Sequence, residues 1–192
     1  KMSNILVCAG STRKDSFNKR LAKCAANAAK SAGAEVTYFD LTEYPMPMYD
    51  GDLETAEGLP ETVRKLKEIF KQHNGLIIAS PEYNSSFSGV LKNTIDWVSR
   101  QEGQEPSLAV FKNKYALLLS ASPGALGGLR GLVGLRSMLS NIQVTVVPDQ
   151  LSISKAHEAF NENGELLDAK QLQQLNTMTL NFVNVLKKLD VK

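Results

Sequence analysis

Three short polar segments of this sequence hold residue types that could bind a ligand carrying both a phosphate group and a planar ring. They are residues 10–18 (GSTRKDSFN), 81–86 (PEYNSS) and 122–128 (SPGALGG). Each segment follows an apolar run of the kind that forms a buried strand of a parallel sheet. Ligands of open α/β sheets bind beyond the carboxyl ends of the strands. We therefore expect the three segments to form one site.

The first segment has the features of a phosphate site. It lies between the apolar run 4–9 and a predicted helix, and free N–H groups and the dipole at a helix N-terminus favour an anion. The guanidinium of Arg13 can pair with two phosphate oxygens. The segment lacks the glycine patterns of P-loops and of dinucleotide folds, and the alternative is a serine-capped turn with a solvated arginine. The short donors around the helix start are Ser11, Thr12, Ser16 and Asn18.

The second segment offers groups that suit a planar heterocycle. Pro81 fixes the backbone as it leaves the apolar run 75–80 and supplies no N–H. Tyr83 provides a flat amphipathic ring, and Asn84 provides donors and an acceptor. A polar turn in which Asn84 and Ser85 bond the local backbone explains the segment equally well.

The third segment is rich in glycine, which lets a backbone approach a ligand closely. The same glycines would also serve a sharp turn from a strand into a helix. Gly131 and Gly134 fall on one face of that helix. We predict that they pack closely against a neighbour, such as another subunit.

The hydrophobic pattern predicts five strands that alternate with five helices, which indicates an α/β fold. The expected form is a doubly wound, flavodoxin-like three-layer sandwich with a five-stranded parallel sheet in the order 2-1-3-4-5. At 192 residues, we expect one domain over residues 1–192. The connection 41–59 is unusually long, which fits either the rim of a pocket or an ordinary crossover. The predicted strands are 4–9, 35–40, 75–80, 115–121 and 143–147, and the predicted helices are 17–32, 60–72, 88–100, 129–140 and 169–189.

Composition excludes several classes of protein. Lys plus Arg is 22 and Asp plus Glu is 20, and this balance argues against a nucleic-acid binder with a broad basic face. No apolar run approaches the roughly 20 residues of a membrane span.

Cys8 and Cys24 are too few for a disulfide framework, so we predict buried thiols in a reducing compartment. His73 and His157 lack the companions of a metal site and are predicted to be solvated. No secretory pattern precedes the first strand, so we expect a cytoplasmic protein.

The motifs together resemble the NAD(P)H-dependent FMN reductase family, which includes quinone, azo-dye and chromate reductases. The resemblance rests on Gly-Ser-Thr-Arg with Ser-Phe-Asn, Pro-Glu-Tyr-Asn, Leu-Lys-Asn-Thr-Ile-Asp-Trp over residues 91–97, and Ser-x-Gly-x-x-Gly-Gly. It implies non-covalent FMN and a homodimer or homotetramer, although Val133 replaces a tyrosine that joins a tetramer contact in some members. By position it implies a phosphate site of Ser11, Arg13, Ser16, Phe17 and Asn18, a ring site of Pro81, Glu82, Tyr83, Asn84 and Ser85, and a border of Ser122 and Gly124.

We therefore predict an oxidoreductase in which hydride passes from NADPH or NADH to FMN and on to a small acceptor in a ping-pong sequence. The acceptors that the resemblance implies are quinones, azo compounds, chromate, ferric complexes or free flavin. No side chain is expected to act as nucleophile or metal ligand, because the cofactor carries the chemistry. One alternative is a flavodoxin-type electron carrier, although such carriers are usually strongly acidic and this chain has a net charge of +2. Another is a scaffold that keeps the fold without turnover.

Overall fold

The computed structural model describes residues 3–189, in which a parallel sheet lies between two layers of helices. The sheet has the strand order β2-β1-β3-β6-β7 with every pair parallel, which confirms the predicted flavodoxin-like topology. None of the described helices has the length and apolar character needed to cross a membrane. The elements are β1 Asn4–Ala9, α1 Phe17–Ser31, β2 Glu35–Phe39, α2 Gly51–Glu57, α3 Glu61–Lys71, β3 Gly75–Ala79, β4 Glu82–Tyr83, β5 Ser86–Phe87, α4 Gly89–Val98, β6 Tyr115–Ala121, α5 Leu129–Asn141, β7 Thr145–Ile153 and α6 Ala169–Leu189.

The central strands are apolar throughout because helices cover both faces of the sheet. Successive residues of β1 point to opposite sides, so Ile5 and Val7 pack under α1 and α6, whereas Leu6 and Cys8 pack under α3, α4 and α5. Two separate apolar layers result. They hold the carboxyl ends of β1, β3 and β6 at one edge of the molecule.

The structure adds elements that the sequence pattern did not predict. The connection 41–59 contains a short 3-10 helix and α2, and residues 82–87 form the hairpin β4–β5 rather than a loop. The last strand runs to Ile153 instead of ending at residue 147, and its pairing with β6 is irregular between Ala116 and Leu118. Arg136 supports that irregularity, because its guanidinium donates to the Val147 carbonyl at 2.7 Å.

The connection 41–59 is fixed to α4 by two buried polar side chains. Trp97 is fully buried, and its Nε1 donates to the Pro47 carbonyl at 2.8 Å. Asn93 donates to the same carbonyl at 2.9 Å and accepts from the Tyr49 N–H at 2.7 Å. Trp97 is therefore a packing residue that holds this connection against α4.

Replacing Trp97 should loosen this connection. In Trp97→Phe the Pro47 carbonyl keeps only its bond from Asn93 and the core loses part of a large ring, so we expect the free energy of unfolding to fall by about 1 to 2 kcal/mol. Urea denaturation measures this. Tyr49→Phe is the control, because the Glu54 carboxylate that the Tyr49 hydroxyl bonds stays paired with Arg100 and is not left unsatisfied. We expect that loss to cost less than about 1 kcal/mol. Equal losses in the two variants would contradict the expectation.

Both cysteines are free, as predicted, among residues 3–189, but only Cys8 is buried. Cys24 is half-buried because it packs at the edge of the core, with its thiol 3.2 Å from the Gly164 carbonyl. Burial raises the pKa of the Cys8 thiol to about 12 and also raises the pKa of Cys24. The prediction for His157 is confirmed, because it is exposed beside Glu158. The prediction for His73 is wrong: its ring is buried, with Nδ1 2.6 Å from the Ile69 carbonyl and Nε2 2.9 Å from the Thr37 hydroxyl.

A cavity of about 530 Å³ lies at the opposite edge of the sheet, where the strands begin, and includes the buried Lys114. The Lys114 ammonium donates to the His73 carbonyl, and burial lowers its pKa to about 8. In the unfolded chain a lysine keeps its ordinary pKa near 10.4. Between these two values the unfolded state binds the extra proton, so the folded state gains stability as the pH rises.

This linkage makes stability depend on pH through Lys114. We expect the free energy of unfolding to rise by about 1 to 2 kcal/mol between pH 8 and pH 10, relative to the variant Lys114→Met. Urea denaturation at three pH values measures the difference. Lys112→Met, which changes an exposed lysine of the same cavity, should keep the wild-type pH dependence. A wild-type dependence in Lys114→Met would contradict the expectation.

Candidate functional site

The three polar segments meet at the carboxyl edge of the sheet and line two neighbouring cavities. The first cavity, of about 360 Å³, has walls from all three segments. The second, of about 540 Å³, is bounded by the β4–β5 hairpin and the glycine-rich segment and shares Glu82 and Ser122 with the first. Thr12 is exposed and stands outside the lining of both cavities. The first cavity is lined by Ser11, Arg13, Ser16, Phe17, Asn18, Pro81, Glu82, Tyr83, Ala121, Ser122 and Pro123.

The N-terminus of α1 opens into the first cavity with its own N–H groups uncapped. Ser16 occupies the cap position, but its hydroxyl makes no capping bond in the part of the chain that the structure describes. The first turn contains no acidic side chain that would compete for these N–H groups. Arg13 stands beside them, with its guanidinium carbon 5.2 Å from the centre of the Phe17 ring. This end of the cavity can therefore hold an anionic group.

Two buried side chains hold this end of the cavity in place. Asn18 donates to the Ala121 carbonyl and accepts from the Ala121 N–H, both at 2.9 Å, which ties α1 to the end of β6. Ser88 donates to the Gly10 carbonyl at 2.5 Å and caps α4 by accepting from the Leu91 N–H at 3.3 Å. The Asn18 amide, which was expected to face a phosphate, is thus engaged by backbone and acts here as a clamp.

Two residues of the second segment, Asn84 and Ser85, form the tip of the β4–β5 hairpin. Asn84 and Ser85 both have positive φ, at 51° and 65°, as a tight turn of the type I′ class requires. The tip lines the second cavity, and the exposed ring of Tyr83 lines the first. The segment is therefore both a polar turn and part of a cavity wall, so the two sequence-based interpretations are compatible.

The hairpin lies directly on the first turn of α5. A Cβ at Gly131 would stand 3.0 Å from the Ser86 carbonyl oxygen, and a Cβ at Gly134 would stand 3.7 Å from the Phe87 ring. These two glycines therefore pack against a neighbour, and that neighbour is the hairpin of the same chain. A contact of 3.0 Å with a backbone oxygen leaves little room for a side chain at position 131, which explains the glycine at that position.

An ion pair joins the hairpin to α5 at the boundary of the two cavities. The Glu82 carboxylate accepts from the Arg130 guanidinium at 2.7 and 2.9 Å and from the backbone N–H groups of Arg130 and Gly131 at 3.1 and 3.3 Å. Arg130 was not among the site residues predicted from the sequence. Its place in the first turn of a predicted helix, two residues after the glycine-rich segment, was the available signal.

The glycine-rich segment brings bare backbone to the second cavity. Gly127 and Gly128 have φ of 60° and 89°, and a Cβ at Gly127 would stand 2.7 Å from the Ile153 carbonyl carbon. Ser120 holds the turn by donating to the Gly127 carbonyl at 2.6 Å. A Cβ at Gly124, by contrast, would meet only the Ser122 hydroxyl, at an ordinary contact distance of 3.7 Å.

The arrangement fits a ligand with an anionic group at one end and a flat ring at the other. The uncapped helix and Arg13 suit a phosphate, while the hairpin, Tyr83 and the glycine-rich backbone suit a planar ring. FMN, the cofactor that the sequence motifs imply, has both parts. The connection 41–59, which the structure describes in full, contributes to neither cavity within one chain.

Comparison with known proteins agrees with this geometry. The sequence profile of the family described as NADPH-dependent FMN reductase matches residues 3–158. The chain is 31% identical to a quinone reductase of Escherichia coli K12, over 97% of each chain, and 35% identical to an NAD(P)H-dependent FMN reductase of Pseudomonas aeruginosa, over 92% of this chain and 93% of that one. FerB, a flavoenzyme NAD(P)H:(acceptor) oxidoreductase of Paracoccus denitrificans, superposes with a TM-score of 0.79 at 28% identity, covering 97% of this chain and 98% of its own. The chain therefore belongs to the NADPH-dependent FMN reductase family.

Proposed function

We propose that this protein binds FMN in the two cavities and uses NADPH or NADH to reduce small acceptors. The observation that carries the proposal is the uncapped N-terminus of α1, which opens with Arg13 into a cavity that the hairpin and the glycine-rich segment also line. Bound FMN supplies the two-electron chemistry, since it accepts a hydride from a nicotinamide and passes reducing equivalents on. The protein supplies binding, orientation and the local electrostatic field.

The proposal assigns a role to each group of residues. Arg13, Ser11, Ser16 and the first N–H groups of α1 hold the phosphate, with Phe17 supporting the arginine. Asn18 keeps this end in place through Ala121. The ring lies along the residues that line the hairpin side of the two cavities, where the Glu82 to Asn84 backbone faces its polar edge. These residues are Pro81, Glu82, Tyr83, Asn84, Ser85, Ser122 and Gly124.

Both cavities lie at one edge of a single sheet within residues 3–189, which we treat as one domain. The donor and the acceptor then use the same face in turn, which is a ping-pong sequence. Relatives named quinone reductase and NADPH azoreductase support quinones and azo compounds as acceptors. Chromate, ferric complexes and free flavin complete the proposed set.

The test is to mix the purified protein with FMN and then with NADPH or NADH. We expect quenching of FMN fluorescence, direct bleaching of the bound flavin, and parallel initial-velocity lines when the donor and a quinone are varied together. A flavodoxin-type carrier would bleach only when a partner reductase is added. A scaffold would not bind FMN. Either of these results would overturn the proposal.

We also propose that the protein works in the cytoplasm as a homodimer or homotetramer. The exposed apolar side chains of Leu126, in the wall of the second cavity, and of Leu129 and Val133, in the first turns of α5, offer a surface for a second copy. The free thiols Cys8 and Cys24 are consistent with a reducing compartment. Sedimentation analysis with and without FMN distinguishes a monomer, dimer and tetramer.

A further inference from the structure

The ion pair between Glu82 and Arg130 lies in the wall of the cavities in which we place the flavin ring. Glu82 lines both cavities and Arg130 lines the second. The carboxylate is almost fully buried, with 9% of its side chain exposed, whereas the Arg130 side chain is 61% exposed. The wall of the ring site thus contains a buried negative group covered by a positive one.

The Glu82 carboxylate cancels two positive features of this wall. One is the guanidinium of Arg130, which it meets at 2.7 and 2.9 Å. The other is the N-terminus of α5, where it accepts from two backbone N–H groups at 3.1 and 3.3 Å. Gly128 precedes this helix and has no side chain that could cap it. Glu82 is therefore the group that caps the helix as well as the partner of the arginine.

We infer that Glu82 is a positioning residue whose charge sets the reduction potential of the bound flavin. The inference rests on the proposed function, since it requires FMN in the two cavities. Reduced flavin readily loses a proton and then carries one more negative charge than oxidised flavin. An uncompensated positive charge beside the ring would stabilise the reduced form and weaken it as a reductant. By neutralising Arg130 and α5, Glu82 keeps the reduced flavin reactive toward acceptors.

A role in packing alone would not depend on the sign of the charge. The hairpin also rests on α5 through Gly131 and Ser86, a contact that needs no carboxylate. Glutamine at position 82 keeps an oxygen that can accept from the helix N–H groups. The variants Glu82→Gln and Arg130→Gln therefore change the local charge in opposite directions. The first keeps the shape of the side chain, and the second shortens a side chain that is mostly exposed.

The experiment compares four FMN-loaded proteins: the wild type, Glu82→Gln, Arg130→Gln and the double variant. Equilibration with a redox dye at pH 8 gives the ratio of reduced to oxidised flavin at a fixed potential. We expect this ratio to rise about tenfold in Glu82→Gln, which corresponds to about 30 mV for a two-electron couple, and to fall in Arg130→Gln. The double variant, in which the charges again balance, should lie within about threefold of the wild type.

Shifts in the same direction for the two single variants, or no shift in either, would overturn the inference. A double variant that keeps the full shift of Glu82→Gln would also overturn it. If Glu82→Gln does not fold, the direction of the shift in Arg130→Gln decides, and a rise or no change contradicts the inference. Failure of the wild type to bind FMN would instead overturn the proposed function, so the two failures are distinguishable.

Discussion

Gly127→Ala should lower the free energy of unfolding by at least about 3 kcal/mol, the largest effect that we expect from a single methyl group in this protein. The added Cβ would stand 2.7 Å from the Ile153 carbonyl carbon and 2.8 Å from the Ser154 nitrogen. Both are backbone atoms at the end of β7 and cannot move aside as a side chain could. The φ of 60° adds conformational strain for any residue other than glycine.

The effect should reach the site as well as the fold. The turn at Gly127 is tied to β6 through Ser120 and leads into α5, on which the β4–β5 hairpin rests. Relief of the clash must displace the wall of the second cavity, so we expect weaker FMN binding by any folded Gly127→Ala protein. Urea denaturation measures the first effect and fluorescence titration with FMN the second.

The matched control is Gly124→Ala, three residues earlier in the same segment. Its Cβ would meet only the Ser122 hydroxyl, at 3.7 Å, which is ordinary contact. We expect a change of less than about 0.5 kcal/mol in the free energy of unfolding. If the two alanine variants were equally stable, the close approach of the glycine-rich segment to β7 would not exist in solution.

The sheet could be predicted from the sequence because its strands are buried on both faces. Runs such as residues 4–9 and 115–121 are almost entirely apolar, and such runs are typical of the centre of a parallel sheet. The long apolar stripe of α6 correctly predicted that helix and its start at Ala169. The short strands Glu82–Tyr83 and Ser86–Phe87 are below the length at which alternation can be recognised.

The parts of the site that escaped prediction depend on contacts between distant residues. Asn18 pairs with the backbone of Ala121, which is 103 residues away, and Glu82 pairs with Arg130, which is 48 residues away. A backbone partner has no side-chain signature in a sequence. His73 was mispredicted for a similar reason, because the Thr37 hydroxyl that it contacts lies on β2, 36 residues away. Residue types could suggest that these side chains were polar donors, but only the fold shows what they bind.

Arg13→Gln should raise the dissociation constant for FMN by about tenfold to a hundredfold. Arg13 is the cation beside the uncapped start of α1 in the first cavity. A charge-assisted hydrogen bond contributes about 1.5 to 3 kcal/mol, and every 1.4 kcal/mol changes a dissociation constant tenfold. Titration of FMN fluorescence at low and high salt measures the change, and the difference from the wild type should shrink as salt screens the charge.

Two controls separate phosphate binding from a general loss of positive charge. Arg20→Gln removes a guanidinium that is also near the Phe17 ring, at 6.0 Å, but that lines a different cavity. We expect it to leave FMN binding within about twofold of the wild type, because the remaining interaction is long-range and screened. Riboflavin, which lacks the phosphate, should bind wild type and Arg13→Gln equally. If Arg13→Gln weakened riboflavin as much as FMN, Arg13 would contact the ring or hold the loop rather than the phosphate, and the anionic end of the ligand would have to be placed elsewhere in the two cavities.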